Sequence, residues 1–261
     1  MRVTTWNVNG LATRLARVLR WLERSGSELL CLQEIKMEAS RFPYEAFAAL
    51  GYRALVAGQK GYNGVAILAR ASWPEPSDVQ IGIPGFADPA QRALAASFGP
   101  LRVVNLYVVN GQAVGSAAYA HKLAWLEACT RWLERECAQH GPLLVMGDFN
   151  IAPTDEDVHD PAAWAGQVLC SEQERAYFRR WLALGLVDTF RLFADPPVRY
   201  SWWDYRRLAF PKNHGLRIDH ILASPELAER CIAVTIDRNE RKGSAEDKPS
   251  DHAPVTAVFS S

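Results

Sequence analysis

No stretch of the 261 residues approaches the roughly 18 consecutive apolar residues that a bilayer-spanning helix needs, so the chain does not read as a helical membrane protein. Met1-Arg2-Val3-Thr4-Thr5-Trp6 enters a strand-like pattern at once and leaves no room for a basic region, an apolar segment and a cleavage site. No secretory signal is expected. The five cysteines (Cys31, Cys129, Cys137, Cys170, Cys231) are odd in number, scattered and free of any Cys-x-x-Cys pair. That pattern excludes a disulfide framework and a zinc site, and it suits reduced thiols in a reducing compartment. An excess of one charge is also missing, because 29 Lys and Arg cancel 29 Asp and Glu. Any site for a polyanion must therefore be a local patch. No low-complexity linker or shift of composition divides the sequence. The expectation is a soluble, cytoplasmic protein with one domain over residues 1–261, and its 49% hydrophobic residues can build a substantial core.

What is present is a series of short apolar runs that end in polar residues. Leu143-Leu144-Val145-Met146 reads as a strand buried on both faces and stops at Gly147-Asp148-Phe149-Asn150. Side chains at i and i+2 share a face, so Asp148 and Asn150 can enter one crevice. Arg2 to Val8 is a strand ending in Asn7-Val8-Asn9-Gly10. Leu11 to Arg24 carries Leu15, Val18, Leu19 and Leu22 at helical spacing with its arginines expected on the outside, and Ser25-Gly26 stops it. Leu29 to Leu32 is a second buried strand that ends in Gln33-Glu34. A strand, a helix and a strand of these lengths indicate a layered α/β unit.

Further along, the pattern predicts a short helix over Arg41 to Tyr52, strands over Gly64 to Arg70 and Leu101 to Val109, and a long helix over Ser116 to His140. Asn110-Gly111 turns the chain into a loop of small residues. Ser171 and Glu174 form a capping-box pattern, and strands are expected at 218–222, 231–236 and 255–259. Arg199 to Arg217 differs in kind. There Arg199, Arg206, Arg207, Lys212 and Arg217 alternate with Tyr200, Trp202, Trp203, Tyr205 and Phe210 against a single acid, Asp204.

The polar groups at strand ends form a chemical set: Asn7, Asn9, Glu34, Tyr107, Asp148, Asn150, Asp219, Asp251 and His252. In α/β sheets such ends converge on one crevice. Convergence would give a centre for hydrolysis of a phosphate ester. Glu34, with Asp251 and Asn9, offers hard oxygen ligands for Mg²⁺. Asn, Tyr and protonated His can stabilise charge on phosphate oxygens, and a further Asp can deprotonate water. Asp219 and His252 suggest a pair in which the carboxylate favours the charged imidazole. Nothing points to covalent catalysis by Ser or Cys.

Six ordered blocks then carry a resemblance: Trp6-Asn7-Val8-Asn9-Gly10, Leu32-Gln33-Glu34-Ile35-Lys36, Asn105-Leu106-Tyr107, Gly147-Asp148-Phe149-Asn150, Gly215-Leu216-Arg217-Ile218-Asp219 and Ser250-Asp251-His252-Ala253-Pro254. Together they resemble the exonuclease III family of apurinic/apyrimidinic endonucleases, within the endonuclease/exonuclease/phosphatase superfamily. The resemblance implies a four-layered α/β sandwich, with two central mixed β-sheets flanked by helices. It also implies Glu34 as main metal ligand with Asn9 and Asp251 close by, Asp148 activating water, and Asn150 orienting it. Tyr107, Asn7 and His252 would bind phosphate, with Asp219 supporting His252. Trp202, Leu216 and Ile218 match the walls of a small pocket for a flipped abasic sugar, Arg206 matches a side chain wedged into the duplex, and Trp203 and Asn110 belong to the same DNA-contact set. The implied activity is Mg²⁺-dependent cleavage 5′ to abasic sites in base-excision repair, with 3′–5′ exonuclease and 3′-end processing at the same centre. Mn²⁺ is an expected substitute. The expected partner is double-stranded DNA with abasic sites or blocked 3′ ends, and a monomer associated with the nucleoid is implied.

Two departures bear on that reading. Val109 stands where the family commonly has proline, and 111–118 carries no Arg or Lys to enter a groove. They favour, as the alternative, an enzyme that is mainly a 3′–5′ exonuclease or 3′-phosphatase with weak abasic cleavage. Other superfamily chemistries, such as a non-specific deoxyribonuclease, an inositol-phosphate phosphatase or a sphingomyelinase, share the Asp-Asn and Asp-His core but do not call for the aromatic-basic stretch. A silent DNA-binding module would have no need to keep Glu34, Asp148 and His252.

Overall fold

The computed structural model describes residues 1–194, 196–244 and 246–260. In chain order its strands are β1 (Arg2–Asn7), β2 (Leu29–Gln33), β3 (Tyr52–Ala57), β4 (Val65–Arg70), β5 (Pro76–Ile81), β6 (Ala93–Phe98), β7 (Leu101–Tyr107), β8 (Leu143–Asp148), β9 (Val187–Asp188), β10 (Asp219–Ala223), β11 (Cys231–Ile236) and β12 (Val255–Phe259). The α-helices are α1 (Leu11–Ser25), α2 (Tyr44–Ala49), α3 (Ala117–Gln139), α4 (Pro161–Trp164), α5 (Glu172–Ala183) and α6 (Pro225–Ala228). Two six-stranded sheets result, ordered β11-β12-β1-β2-β4-β3 and β5-β6-β7-β8-β10-β9. Each contains one parallel pair, β1 with β2 and β7 with β8, joined through α1 and α3 respectively. A parallel pair needs such a crossover, and the crossover helix covers the outer face of its sheet.

Burial follows from that layering. Val3, Cys31, Ile67, Val103, Met146, Ile221 and Ala257 fill the space between the sheets. Val18, Trp21 and Leu22 of α1 pack on the first sheet, and Trp125, Leu126, Trp132 and Leu133 of α3 with Trp181 of α5 pack on the second. The expected four-layered sandwich is what the chain forms. The mutual orientation of the sheets is fixed near their edge by a polar bridge, because Gln33 Nε2 donates to Asn105 Oδ1 at 2.8 Å and Asn105 Nδ2 reaches the carbonyls of Leu32 and Ala66 at 3.0 and 2.9 Å. Asn105 thus serves the sheet junction beneath the site.

Several sequence expectations are corrected here. The helix expected over Arg41 to Tyr52 is interrupted, since a 3₁₀ turn (Ala39–Arg41) precedes α2 and Tyr52 already opens β3. Pro43 forces Phe42 into extended backbone, and Gly51 at φ 79° ends the helix. Strands β5 and β6 escape the pattern because one is a polar edge strand and the other is alanine-rich and buried. Arg17 of α1 is buried and pairs with Glu240 at 3.0 Å, so the arginines of that helix are not all outward. Arg217, one of the basic residues of the aromatic-basic stretch, is 1% exposed. Its Nε donates to Asp157 Oδ1 and its Nη2 to Asp188 Oδ2, both at 2.7 Å, and its guanidinium lies 4.6 Å from the Phe190 ring centroid. Burial alone would raise the Asp157 carboxyl, but Arg217 outweighs it and holds the group at about 2.

Replacing Arg217 with Met would leave buried Asp188 without a cation among the described residues and Asp157 with Arg191 alone, at 2.6 Å. Breaking a buried pair in this way costs roughly 3–5 kcal/mol. The urea midpoint of Arg217→Met should fall accordingly at neutral pH, and a shift worth under about 1 kcal/mol would remove the network from the stability of the fold.

Candidate active site

Both parallel pairs end at the same edge of the sandwich. β1 and β2 deliver Asn7 and Gln33, while β7 and β8 deliver Tyr107 and Asp148 in register. Gly147 makes the approach possible, because a Cβ there would lie 1.9 Å from the carbonyl oxygen of Leu106. The backbone that follows the strands is strained. Asn9, Glu34, Lys36 and Asn150 all have positive φ, from 45° to 55°. Such conformations cost energy in non-glycine residues and persist where the surroundings enforce them. Here the chain after β2 is pinned to the chain after β1 by Gly10 N to Glu34 O at 2.7 Å and Leu11 N to Ile35 O at 3.1 Å.

The side chains then interlock. Asn7 Nδ2 donates to Glu34 Oε1 at 2.9 Å and to Asp148 Oδ2 at 2.8 Å, so one amide joins a carboxylate from each sheet. Its N–H groups are spent on these acids rather than left open for phosphate. Asn150 is also committed. Its backbone N–H holds Asp148 Oδ1 at 2.9 Å, while its side chain donates to Val108 O and accepts from Asn110 Nδ2. It therefore orients the Asp148 carboxylate directly. Behind it, fully buried Lys122 donates to the carbonyls of Asn110 and Asn150 and pairs with Glu174.

On the opposite wall, His252 Nδ1 lies 2.8 Å from Asp219 Oδ2, and His252 Nε2 lies 3.7 Å from Asp148 Oδ2. Burial by itself would lower the imidazole, but Asp219 and then Asp148 push it up to about 10. Asp148 is raised to about 7, mainly by burial and with a contribution from Asp219, against the opposing pull of His252. Tyr107 is pushed well above its ordinary value by burial and by Glu34 and Asp148, so its hydroxyl keeps its proton. The guanidinium of Arg92 lies 4.8 Å from its ring centroid. The site thus sets a proton acceptor opposite two proton-bearing groups.

A divalent cation fits the Glu34 side of this arrangement. Lys36 Nζ lies 3.0 Å from Glu34 Oε2 and also donates to Asn9 Oδ1, so these oxygens already gather around a positive charge. Asp251 adds two more oxygens, which accept from Asn9 Nδ2 at 2.9 Å and Trp202 Nε1 at 3.0 Å. This hard-oxygen donor set suits Mg²⁺. Asp148, Asp219 and His252 also bring potential ligand atoms within 4.8 Å of one another. His252 Nδ1 is already engaged by Asp219 at 2.8 Å, which suits that cluster to acid–base work.

The structure brings together Asn7, Asn9, Glu34, Tyr107, Asp148, Asn150, Asp219, Asp251 and His252. It separates part of the DNA-contact set. Trp203 is fully buried among the sheet-core residues with its Nε1 on Asn213 Oδ1, which corrects its placement at a DNA surface. Leu216 and Ile218 are buried with Ala152, Val158, Leu169 and Cys170, and Trp202 packs at the edge of that cluster. Leu169 has φ 76°, a costly conformation for a leucine. Arg206 is exposed and pairs with Asp204 at 3.2 Å, and Asn110 is exposed beside Asn150. Lys36, Lys122 and Ser250, whose Oγ donates to Asn7 O at 2.7 Å, were not singled out from sequence. Only the Glu34-x-Lys36 spacing could have signalled one of them.

Over nearly its whole length the chain is similar to known proteins. The family model described as endonuclease/exonuclease/phosphatase matches residues 4–252. Exodeoxyribonuclease III of Haemophilus influenzae is 38% identical over 272 aligned positions, covering 99% of this chain and 100% of that protein. Among solved structures, a 3′ phosphatase from Neisseria bound to product DNA hairpin superposes with a TM-score of 0.94 at 42% identity, covering 100% of this chain and 99% of that one. An AP endonuclease from Archaeoglobus fulgidus gives 0.92 at 35% identity, with 99% of each chain covered. With a match over nearly its whole length and the acid–base cluster assembled at the sheet edge, this chain belongs to the endonuclease/exonuclease/phosphatase family.

Proposed function

We propose that the enzyme, a DNA-repair nuclease, is a Mg²⁺-dependent phosphodiesterase that cuts the DNA backbone 5′ to abasic sites and processes blocked 3′ ends. The observation that carries this is the opposition of Asp148 to the Asp219–His252 pair, with Glu34 tied to Asp148 through Asn7. Mn²⁺ is proposed to substitute. Glu34, Asn9 and Asp251 would hold the ion, which supplies charge neutralisation at the phosphate when bound.

The chain's own residues perform the rest. A water hydrogen-bonded to Asp148 passes its proton to that carboxylate as its oxygen bonds to phosphorus, while the P–O3′ bond on the opposite side breaks and the departing 3′ oxygen takes a proton from solvent to leave as a 3′-hydroxyl. The raised affinity of Asp148 for protons suits it to this role at neutral pH. His252, held cationic by Asp219, and the Tyr107 hydroxyl face the non-bridging oxygens and stabilise the charge that accumulates there. Asn7 and the Asn150 backbone keep the Asp148 carboxylate from turning away. The partner is double-stranded DNA, and we propose that the protein acts on it in the cytoplasm, at the nucleoid, as a monomer.

A second reading keeps the chemistry and shifts the substrate. The apolar cluster expected to receive a flipped sugar is packed by Leu169 and Val158, and 111–118 lacks a basic side chain. Both favour 3′-end processing over abasic cleavage. An end-labelled duplex with one abasic-site analogue, assayed beside a recessed 3′-phosphate duplex, separates the two. A single metal-dependent cut 5′ to the lesion supports the first reading, and 3′-phosphate release without that cut supports the second. Loss of both would remove the phosphodiesterase proposal.

Asp148→Asn should lower turnover by at least about 10²- to 10⁴-fold, the range typical of a lost general base, while DNA affinity measured by anisotropy stays near wild type. Turnover near wild type would take the water-activating role from Asp148. The pH profile follows from the same groups. Asp148 must be ionised, so kcat/KM should fall about tenfold per pH unit below about 7. His252 must be protonated, so activity should hold across the neutral and mildly alkaline range and decline as pH approaches about 10. A profile flat down to pH 5 would contradict the assignment.

A further inference from the structure

Beside the carboxylate edge of the site lies a concave pocket of about 640 Å³, walled by Arg14, Arg241, Lys242 and Lys248 over Tyr205 and Phe210. No acid lines it, and among the described residues none of its four cations forms an ion pair. The adjoining cavity shows the contrast. There Arg17 pairs with Glu240 at 3.0 Å and Arg20 with Asp247 at 2.9 Å, and Arg24 also pairs with Glu240. In a chain whose formal charges sum to zero, this pocket is left electropositive.

Its two arginines are hydrogen-bonded by groups that carry no charge. Arg241 is 6% exposed, lies 4.7 Å from the Tyr205 ring centroid, and donates to the carbonyls of Asp251 and Trp203 at 3.2 and 2.9 Å. Arg14 donates to the carbonyls of Asn9 and Pro249 and to the Tyr205 hydroxyl, while its Nε is buried without a hydrogen-bond partner. Asp251 and Asp204 act on Arg241 only from a distance, without an ion pair, so a buried cation beside a buried and unpartnered Arg14 Nε leaves room for an anion to add direct contacts. The anion is indicated by position. The segments around Asn9, Trp202 to Tyr205 and Pro249 to Asp251 form both the pocket wall and the metal-side edge of the site.

We propose that this pocket is a second phosphate subsite, binding a phosphate of the DNA that runs past the Asn9 and Asp251 edge while the reacting phosphate lies between Asp148 and His252. The proposal rests on the phosphodiesterase reading above. Its ligand chemistry has two sources, an internal phosphodiester of the duplex or the 5′-terminal phosphate across a nick or gap.

The test uses Lys242→Glu/Lys248→Glu, since both side chains are exposed and neither makes a side-chain hydrogen bond among the described residues. Arg131→Glu/Arg135→Glu on the outer face of α3 is the charge-matched control. Binding is read by anisotropy in the Asp148→Asn background without metal, over a salt series, on one-nucleotide-gap duplexes with a 5′-phosphate or a 5′-hydroxyl. The lysine variant should bind about tenfold or more weakly than the control near 0.1 M salt, with a salt slope smaller by about 1–2. With Asp148 intact, its turnover of thymidine 3′-(p-nitrophenyl phosphate), too short to reach the pocket, should match wild type. A wild-type preference for the 5′-phosphate that the lysine variant loses identifies the terminal phosphate. Equal weakening on both duplexes identifies an internal phosphodiester. Affinity and salt slope equal to the control would overturn the subsite. An inactive parent enzyme with the lysine effect intact would instead remove the phosphodiesterase reading and leave the anion pocket standing.

Discussion

The amide of Asn7 stands between two acids, Glu34 at 2.9 Å and Asp148 at 2.8 Å, and the rest of the site depends on that bridge. One carboxylate follows the first sheet and the other ends a strand of the second, so the bridge fastens the sandwich where its layers meet. It gives one oxygen of each carboxylate a hydrogen-bond donor, and polar atoms left unpartnered on burial are costly. With it, each acid keeps a separate task. Asn7 is held in turn from below, by parallel pairing with Gln33 and by the Ser250 hydroxyl on its carbonyl.

Around this bridge the environments push titratable groups apart, which lets one pocket carry an acid and a base together. Burial gives Asp148 an appetite for protons, while Asp219 keeps one on His252. The supporting charges are buried as well. Lys122 with Glu174 lies behind Asn150, and Arg217 with Asp157 and Asp188 lies behind β10. Neither cation reaches solvent, so their contribution is to geometry.

The convergence of the candidate site residues was legible in the sequence because each member ends an apolar run or lies next to one, and strand ends in α/β folds converge. Glu34, Asp148, Asp219 and His252 could be named from that alone. What the sequence hid was commitment. Nothing in Asn7 or Asn150 reveals that their amides are spent on carboxylates and backbone, since hydrogen-bond partners from residues 2 to 141 positions away do not show in local pattern. The aromatic-basic stretch misled in part for a related reason. Trp203 and Arg217 have the composition of a DNA surface, yet one fills the sheet core and the other neutralises two buried acids. Strand β6 was missed because alanine satisfies a crowded sheet centre without announcing a strand.

The site draws on both extremes of the chain, with Asn7 on the first strand and His252 just before the last. Trp6 Nε1 even donates to the carbonyl of His252, 246 positions away. A ribosome must therefore translate past His252 before any cleaving centre can exist. A prematurely terminated product would lack the imidazolium and the last metal-side acid together. Long-range closure of this sort slows folding. It also means that a half-made nuclease has no means of attacking the genome it is built to repair.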